Sequence, residues 1–306
     1  MMSKPYLLLL GSLQEPILAY VSMKLARKAV TLVVMDFRQP CHDWPIVFSW
    51  GEGAGEPFLS AGRRLVPLVD IRSTYIRLGQ VWKGTEEGAP DALHHRSVFP
   101  HLLSILPGLV VNPYEASNGN GAKPYQLMRI AQFGFNVPRT LVTSIPERAK
   151  EFFDVCRGRV IYKSISSVRS IVRRVTENDL PRLEQIRHCP VQFQEYIPGV
   201  DLRVHVVGNR VFASQIETTS MDYRYTDEQS FRTIRAVELP MGLQEQCIGL
   251  ARGLGLALAG IDLRRTVQGE YYCFEVNTSP AFTFYEEHTG QRIGDALVDM
   301  LCRGTV

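Results

Sequence analysis

The sequence has little to support a site built on sulfur. Its six cysteines, Cys41, Cys156, Cys189, Cys247, Cys273 and Cys302, form no CxxC pair, which removes the usual spacing of a zinc knuckle or a dithiol redox pair. Widely spaced in a chain of 306 residues, they read as buried free thiols. Charge of one sign is missing too. The 34 basic and 31 acidic residues leave a formal +3, too balanced to imply nucleic acid as a partner. No apolar run approaches the length that crosses a bilayer, so a membrane partner is not expected. The start, MMSKPYLLLLGSLQEP, has only a short apolar run before Gln14 and Glu15 and reads as a first buried strand, not a signal peptide. A cytoplasmic protein is the expectation. The glycine-rich stretch 51–62 has no GxGxxG opening a helix, so no dinucleotide site is read there. His94, His95 and His101 have no carboxylate or cysteine spaced to complete a metal site. There is no internal repeat and no low-complexity tail.

What remains is an ordinary globular composition, 45% hydrophobic and 21% charged, at a length suited to two or three lobes. PYLLLLG, a polar stretch of helical spacing and AVTLVVMDF open an α/β layer with a parallel sheet. VDIRSTYIRLG (69–79) and GLVVNP are further strands. Leu127, Ile130, Ala131 and Gly134 define a helix face, with Gly134 suited to end it. VPRTLVT reads as extended. SIPERAKEFFDVC reads as a helix capped by Ser144, packing Ala149, Phe152 and Phe153. RVIYKSIS is a strand delivering a lysine, with SIVRRVT as its antiparallel neighbour. LRVHVVG and RVFASQI are joined at Gly208-Asn209, a two-residue hairpin signal. A polar segment follows at 218–236. Cys247, Ala251, Leu254 and Leu258 mark another helix. AGIDLRRT and YYCFEVN form a hairpin about Gln268-Gly269, and EHTGQRIGDALVDMLCR closes the chain as one helix.

The stretch CFEVNTSPAF (273–282) carries the chemistry. It ends an apolar strand with a carboxylate and an amide two residues apart, hence on one face, just before a proline turn. If the hairpin forms, Asp262 lies on the neighbouring strand and can face Glu275, with Asn277 as a third oxygen. Such a set suits Mg²⁺, which takes oxygen ligands together with phosphate oxygens and water. The competing reading is a solvated hairpin whose acids face water. A polyphosphate held by Mg²⁺ needs protein cations. Lys163, at the end of an apolar strand, and Lys123, just ahead of a helix, are the candidates. Gln194, Glu195, Tyr196 and Ile197 end another apolar strand, where an extended backbone can present one N–H and one C=O to an adenine edge. Asp201 is placed to accept from a ribose hydroxyl.

The order NPYEA, KPYQLMRIAQFGFNVPRTLVT, VIYKSIS, FQEYIPGVDLRVHVVGNRV, GIDLRR, FEVNTSPAF resembles the ATP-grasp superfamily, and most of all its branch of RimK-like glutamate ligases and graspetide (microviridin-type) macrocyclases. The resemblance covers roughly residues 110 to 304; the first 110 match only as a loosely similar pre-ATP-grasp domain. It implies an α/β (α+β) ATP-grasp fold, with an N-terminal domain over 1–112, a small lobe with its linker helix over 113–200 and a C-terminal lobe with the Mg²⁺ site over 201–306. ATP and two Mg²⁺ ions, with Mn²⁺ as the other candidate ion, would be the cofactors. The resemblance puts Lys123 and Lys163 on the phosphates, the hinge Glu195–Ile197 on adenine, Asp201 near the ribose, and Asp262, Glu275 and Asn277 on the metal. Arg203 matches an arginine near the phosphates. Arg224 and Arg232 fall where the family binds the acyl phosphate or the acceptor.

The implied reaction is ATP-dependent joining of a carboxylate to an amine or hydroxyl through an acyl phosphate, with ADP and phosphate released and a peptide or amino acid as substrate. A homodimer is a common arrangement of similar ligases. One departure stands out: after Lys163 the chain reads SISSVRS where many relatives carry a glycine-rich phosphate cover. Either the hydroxyls of Ser164, Ser166 and Ser167 replace some of its backbone donors and Arg169 adds charge, or the loop is shortened and is ordered by substrate; the variation tilts the reading toward a peptide-modifying role. Two readings from other classes are a non-catalytic nucleotide- or peptide-binding module on the same scaffold and a small-molecule kinase.

Overall fold

A computed structural model describes residues 5–36, 46–47, 57–61, 64–77, 103, 105–117, 123–163, 165, 172–218 and 231–306. The chain opens with β1 (Tyr6–Gly11), the helix Pro16–Leu25 and β2 (Thr31–Met35). A small antiparallel sheet follows from β3 (Ile46–Val47), β4 (Phe58–Ala61) and β5 (Arg64–Pro67). With β6 (Ile71–Arg77) and β7 (Leu109–Val111) the chain returns to the first sheet, giving the parallel order β2-β1-β6-β7. The central strand β1 is buried on both faces, as a parallel sheet requires. Leu7 and Leu9 face the helix Pro16–Leu25, and Leu8 and Leu10 face Val33, Leu59, Val66 and Leu103.

The second sheet is antiparallel, in the order β10-β9-β11-β8, from β8 (Thr140–Thr143), β9 (Val160–Lys163), β10 (Arg173–Arg174) and β11 (Val191–Glu195). One face packs on the helix Pro146–Val155 and the 3₁₀ segment Glu177–His188 through Ala149, Leu183, Ile186 and Phe193. The third sheet has the order β14-β13-β12-β15-β16, from β12 (Val200–Val207), β13 (Arg210–Thr218), β14 (Phe231–Val237), β15 (Leu258–Arg265) and β16 (Tyr271–Asn277). Leu202, Val204, Val206, Ile261 and Leu263 turn one face toward the helices Lys123–Gln132 and Met241–Gly253. The hairpin turns sit at Gly208 (φ +58°) and Gly269 (φ +85°), backbone conformations that cost glycine little.

Several local expectations shift. The buried stripe of Lys123–Gln132 is Lys123, Gln126, Leu127 and Ile130, while Ala131 is exposed. Ile145, not Ser144, occupies the N-cap of Pro146–Val155. Leu258 belongs to β15, not to the preceding helix, whose buried side is Leu243, Cys247, Leu250 and Ala251. Part of the polar segment 218–236 is β14, an edge strand that tolerates polar residues because only one side is covered. The closing segment forms two helices, Thr283–Thr289 and Ile293–Arg303, because Gly290 takes φ +68° and ends the first. Of the cysteines, Cys156, Cys247 and Cys273 are buried and free, but Cys189 is exposed. Cys41 and His94, His95 and His101 lie outside the described residues. No helix among the described residues is long and apolar enough to cross a membrane.

The parallel sheet and the five-stranded sheet are joined by buried polar groups. Asn112, just past β7, is the clearest. Its Nδ2 donates to the carbonyls of Leu258 and Thr278, and its Oδ1 accepts from the N–H groups of Ala257 and Leu258. Asn112→Ala strands these groups inside the protein. It is expected to lower the unfolding free energy by about 3 kcal/mol, measured by urea denaturation.

Candidate active site

One side of the second sheet, the side of Lys163, is laid out by strand alternation. Phe193 points into the core, so Gln192 and Gln194 point the other way. Lys163 shares that face: Gln192 is its cross-strand partner, and its Nζ donates diagonally to Gln194 Oε1 at 3.3 Å. Gln194 in turn donates to Thr140 Oγ1 at 3.0 Å. Lys163 is buried, and the Gln194 amide that accepts from it is neutral, so it orients the ammonium without cancelling its charge. A cavity of about 220 Å³ lies on the opposite face of this sheet, lined by Tyr162, Leu183, Ile186, Val191 and Phe193, and is therefore separate from the lysine face.

The hinge follows directly. Glu195 N–H donates to the Arg139 carbonyl, Tyr196 N–H to the Arg159 carbonyl, and the Glu195 carboxylate lies 3.7 Å from Arg139 and 3.8 Å from Arg159. Two guanidinium groups meet the Tyr196 ring, Arg174 at 4.6 Å and Arg264 at 5.7 Å from its centre. Ile197 is buried, and its carbonyl accepts from Arg264 Nη1 at 3.0 Å. The same Arg264 grips Asp201 with two parallel bonds, Nε to Oδ1 at 2.8 Å and Nη2 to Oδ2 at 3.0 Å. Asp201, read from sequence as a ribose acceptor, thus sits in an ion pair that fixes the exit of the hinge into β12. Arg264 was missed in the sequence, although its cross-strand register with Asp201 follows once the two strands are paired.

The third sheet carries the acidic half. Arg203, Asp262 and Glu275 are cross-strand neighbours on β12, β15 and β16. Arg203 Nη1 donates to Asp262 Oδ1 at 2.6 Å, and Asn277 Nδ2 to Asp262 Oδ2 at 3.2 Å. A register shift between Asp262 and Leu263 places Leu263 opposite Cys273 and Asp262 opposite Glu275, so Phe274 is the extra residue. The bulge re-aims Glu275. Lys123 Nζ lies 3.9 Å from Glu275 Oε2. What brings it there is Gln126, three residues on and on the same helical face. Its amide exchanges two hydrogen bonds with the backbone of Val276, at 2.7 and 2.9 Å, docking the helix against the edge strand as another strand would.

Beneath Arg203 lies His205, fully buried, edge-on to Tyr285 at 5.0 Å and bonded through Nε2 to the Ala281 carbonyl at 3.1 Å. Burial first, then the charge of Arg203, lowers its pKa from 6.5 to about 3.

Among the described residues no three His, Cys, Asp or Glu side chains group to hold a metal. The set here is two carboxylates and an amide. Its chemistry fits a hard cation: the donors are oxygens, and the nearby Cys273 thiol is kept protonated by burial, which pushes its pKa well above the usual value. The Asn277 nitrogen faces Asp262, so a cation between them requires the amide turned with its oxygen inward. The structure thus gathers Lys163 with Gln194, the hinge with Asp201, and Lys123 with Asp262, Glu275, Asn277 and Arg203. Arg232 lies on β14, and Arg224 lies outside the described residues, as do Ser164, Ser166, Ser167 and Arg169.

A lysine-bearing antiparallel sheet, a hinge and a second antiparallel sheet with a carboxylate–amide row define the class of ATP-grasp ligases. The RimK-like ATP-grasp domain matches residues 120–301, and the chain belongs to that family. A probable alpha-L-glutamate ligase of Pseudoalteromonas translucida (strain TAC 125) is 25% identical over 217 residues, 65% of this chain and 68% of that protein. The ATP-grasp ligase PsnB, solved in complex with minimal precursor, Mg and ADP, is 26% identical, with a TM-score of 0.79 over 97% of each chain. The macrocyclase MdnC of Microcystis aeruginosa MRC, solved with its precursor peptide MdnA, shares the fold at a TM-score of 0.81 over 97% of this chain and 99% of that one, with 21% identity. The likeness of fold therefore reaches the N-terminal sheet, which lies ahead of the family match.

A neutral His205 in the fold and a titrating one in the unfolded chain bind different numbers of protons. The folded value is depressed, so this residue's contribution to stability is complete above pH 6.5 and is lost as the pH falls toward about 3. His205→Gln should flatten the stability-versus-pH curve across that window by one proton, read from urea denaturation at a series of pH values.

Proposed function

We propose that the chain activates a carboxylate of a peptide with Mg·ATP and joins it to an amine or hydroxyl, forming an amide or ester and releasing ADP and phosphate. The observation that carries the reading is the meeting of Lys123 with Glu275: a cation read as a phosphate contact lies against a carboxylate read as a metal ligand, the pairing that a metal-bound polyphosphate needs. In this reading Asp262, Glu275 and Asn277 would hold Mg²⁺, which supplies charge to the triphosphate oxygens. Lys163 and Lys123 contact the phosphates. The Ile197 N–H, which has no partner among the described residues, and the Glu195 carbonyl read adenine, with Gln194 and Tyr196 beside it. Asp201, through its pair with Arg264, sets the hinge exit and lies toward the ribose. The nucleotide lies between the lobes 113–200 and 201–306, and residues 1–112 shape the entry of the acceptor.

In the first step a carboxylate oxygen attacks the γ-phosphorus and the bond to ADP breaks. In the second, an amine or hydroxyl attacks the acyl carbon, phosphate leaves and a proton is lost. Arg203, Arg224 and Arg232 stabilise the charge of the acyl phosphate, and the closed lobes keep water from it. Likeness to PsnB over 97% of the chain, in a complex that holds its precursor, supports a peptide substrate, against a glutamate-ligase likeness that spans between 56% and 82% of it.

Two substitutions test the assignment, read by ADP release and by mass spectrometry of the products. Glu275→Gln keeps its shape and removes a charge; it is expected to leave the fold intact and cut Mg·ATP turnover by about a hundredfold, and undiminished turnover overturns the metal role. Lys163→Met is expected to abolish turnover while adenosine still binds; loss of adenosine binding overturns its role as a phosphate contact. With the wild-type chain and candidate peptides, a product lighter by one water means internal joining. One heavier by a residue means addition of an amino acid, and ADP with a phosphorylated product makes the protein a kinase.

A further inference from the structure

Gln192 stands out among the buried polar side chains. It is fully buried, and neither its Nε2 nor its Oε1 has a partner among the described residues. Both ends of a carboxamide want hydrogen bonds, and a sealed amide that makes none costs stability. A hydrophobic residue of similar size would serve a purely structural role better. Gln192 is also not placed at random. It lies on the lysine-bearing face of β11, directly across from Lys163, with Gln194 two residues on. Side chains so paired have their Cβ atoms within about 5.5 Å, which puts the Lys163 ammonium in reach of both amides. In this structure the ammonium leans diagonally to Gln194.

We infer that Gln192 is a positioning residue for Lys163: in the nucleotide-loaded site its Oε1 accepts a hydrogen bond from the Lys163 ammonium. The inference rests on the nucleotide reading proposed above. An ammonium has three N–H donors. With one directed to Gln194 Oε1 and one to Gln192 Oε1, the third points out of the sheet toward the phosphate oxygens. Two neutral acceptors fix the direction of the charge and leave its magnitude intact. A carboxylate at either position would spend that charge within the protein. The unmet acceptor of Gln192 is thus a cost that the loaded site recovers.

The test compares wild type, Gln192→Leu and Gln192→Glu for thermal stability, adenosine affinity and Mg·ADP affinity by calorimetry. Gln192→Leu is expected to melt at or above the wild-type temperature, to bind adenosine as wild type does, and to bind Mg·ADP about tenfold more weakly. In turnover the same variant raises KM for ATP more than it lowers kcat. Gln192→Glu, which keeps the shape and the acceptor, is expected to weaken Mg·ADP further than Leu does, because it neutralises Lys163. Mg·ADP affinity equal to wild type in both variants overturns the inference, as does an equal loss of adenosine and Mg·ADP, which marks a structural role. If Gln192→Leu fails to fold, Gln192→Met, which keeps the length and loses the acceptor, takes its place: weakened Mg·ADP with adenosine retained supports the positioning role, and unchanged Mg·ADP overturns it. Wild-type protein that binds no Mg·ADP would overturn the nucleotide reading and this inference with it, whereas wild-type binding that survives in both variants overturns this inference alone.

Discussion

The cross-strand register of β12, β15 and β16 is the constraint on which the site depends. It sets Arg203, Asp262 and Glu275 in one row on the face away from the apolar core. Sliding any one strand by a single residue would turn its member of the row into that core and bring an apolar side chain out. The register is enforced from behind by Leu202, Val204, Ile261, Leu263 and Val276, which must all stay buried. Hydrophobic packing on one face thereby fixes charge placement on the other. The Arg203–Asp262 pair is nearly sealed from solvent, with side-chain exposures of 7% and 14%, and a buried pair of this kind adds little stability by itself. Its value is geometric: it aims Asp262.

A second layer of polar groups ties this row to the other sheets without carrying chemistry. Gln126 fastens the helix of Lys123 to the edge of β16, Arg264 fastens the hinge to β15, and Asn112 fastens the parallel sheet to the start of β15 and the turn after β16. Arg77 does the same from the end of β6. It pairs with Glu15 at 3.0 Å and donates to the Pro280 carbonyl at 3.1 Å. Each of these side chains is satisfied at several atoms at once, which is what lets a buried polar group hold a position instead of weakening the core.

Much of the fold was legible because its strands are short, apolar and marked by Gly turns, as at Gly208 and Gly269. The acidic half of the site was legible for the same reason: the Gln268-Gly269 hairpin pairs Asp262 with Glu275 once it is drawn. Three things were hidden. The bulge at Phe274 is invisible to a period-two reading, since an alternating pattern cannot show where it slips. The helix of Lys123 was read one step out of phase because its buried face is partly polar, and Lys123 and Gln126 did not count as apolar positions. Long-range partners such as Asp201–Arg264 depend on which strands neighbour each other, and order in the sheet is not order in the chain. The substrate lies beyond all of this, because strand periodicity and register say where side chains point and not what they meet.

The helix Ile293–Arg303 packs on Leu7, Leu9 and Val21 of the first sheet and its helix. It joins them by Lys24 to Asp295 at 2.6 Å, a pair 271 positions apart, and by the Ser73 hydroxyl to the Leu301 carbonyl at 2.7 Å. The inner face of the first sheet is therefore completed by residues made almost three hundred positions later. During synthesis that side is covered only in part, by the helix Pro16–Leu25, until Ile293–Arg303 has been made. A sheet translated well before the helix that completes its cover keeps apolar surface exposed through that interval.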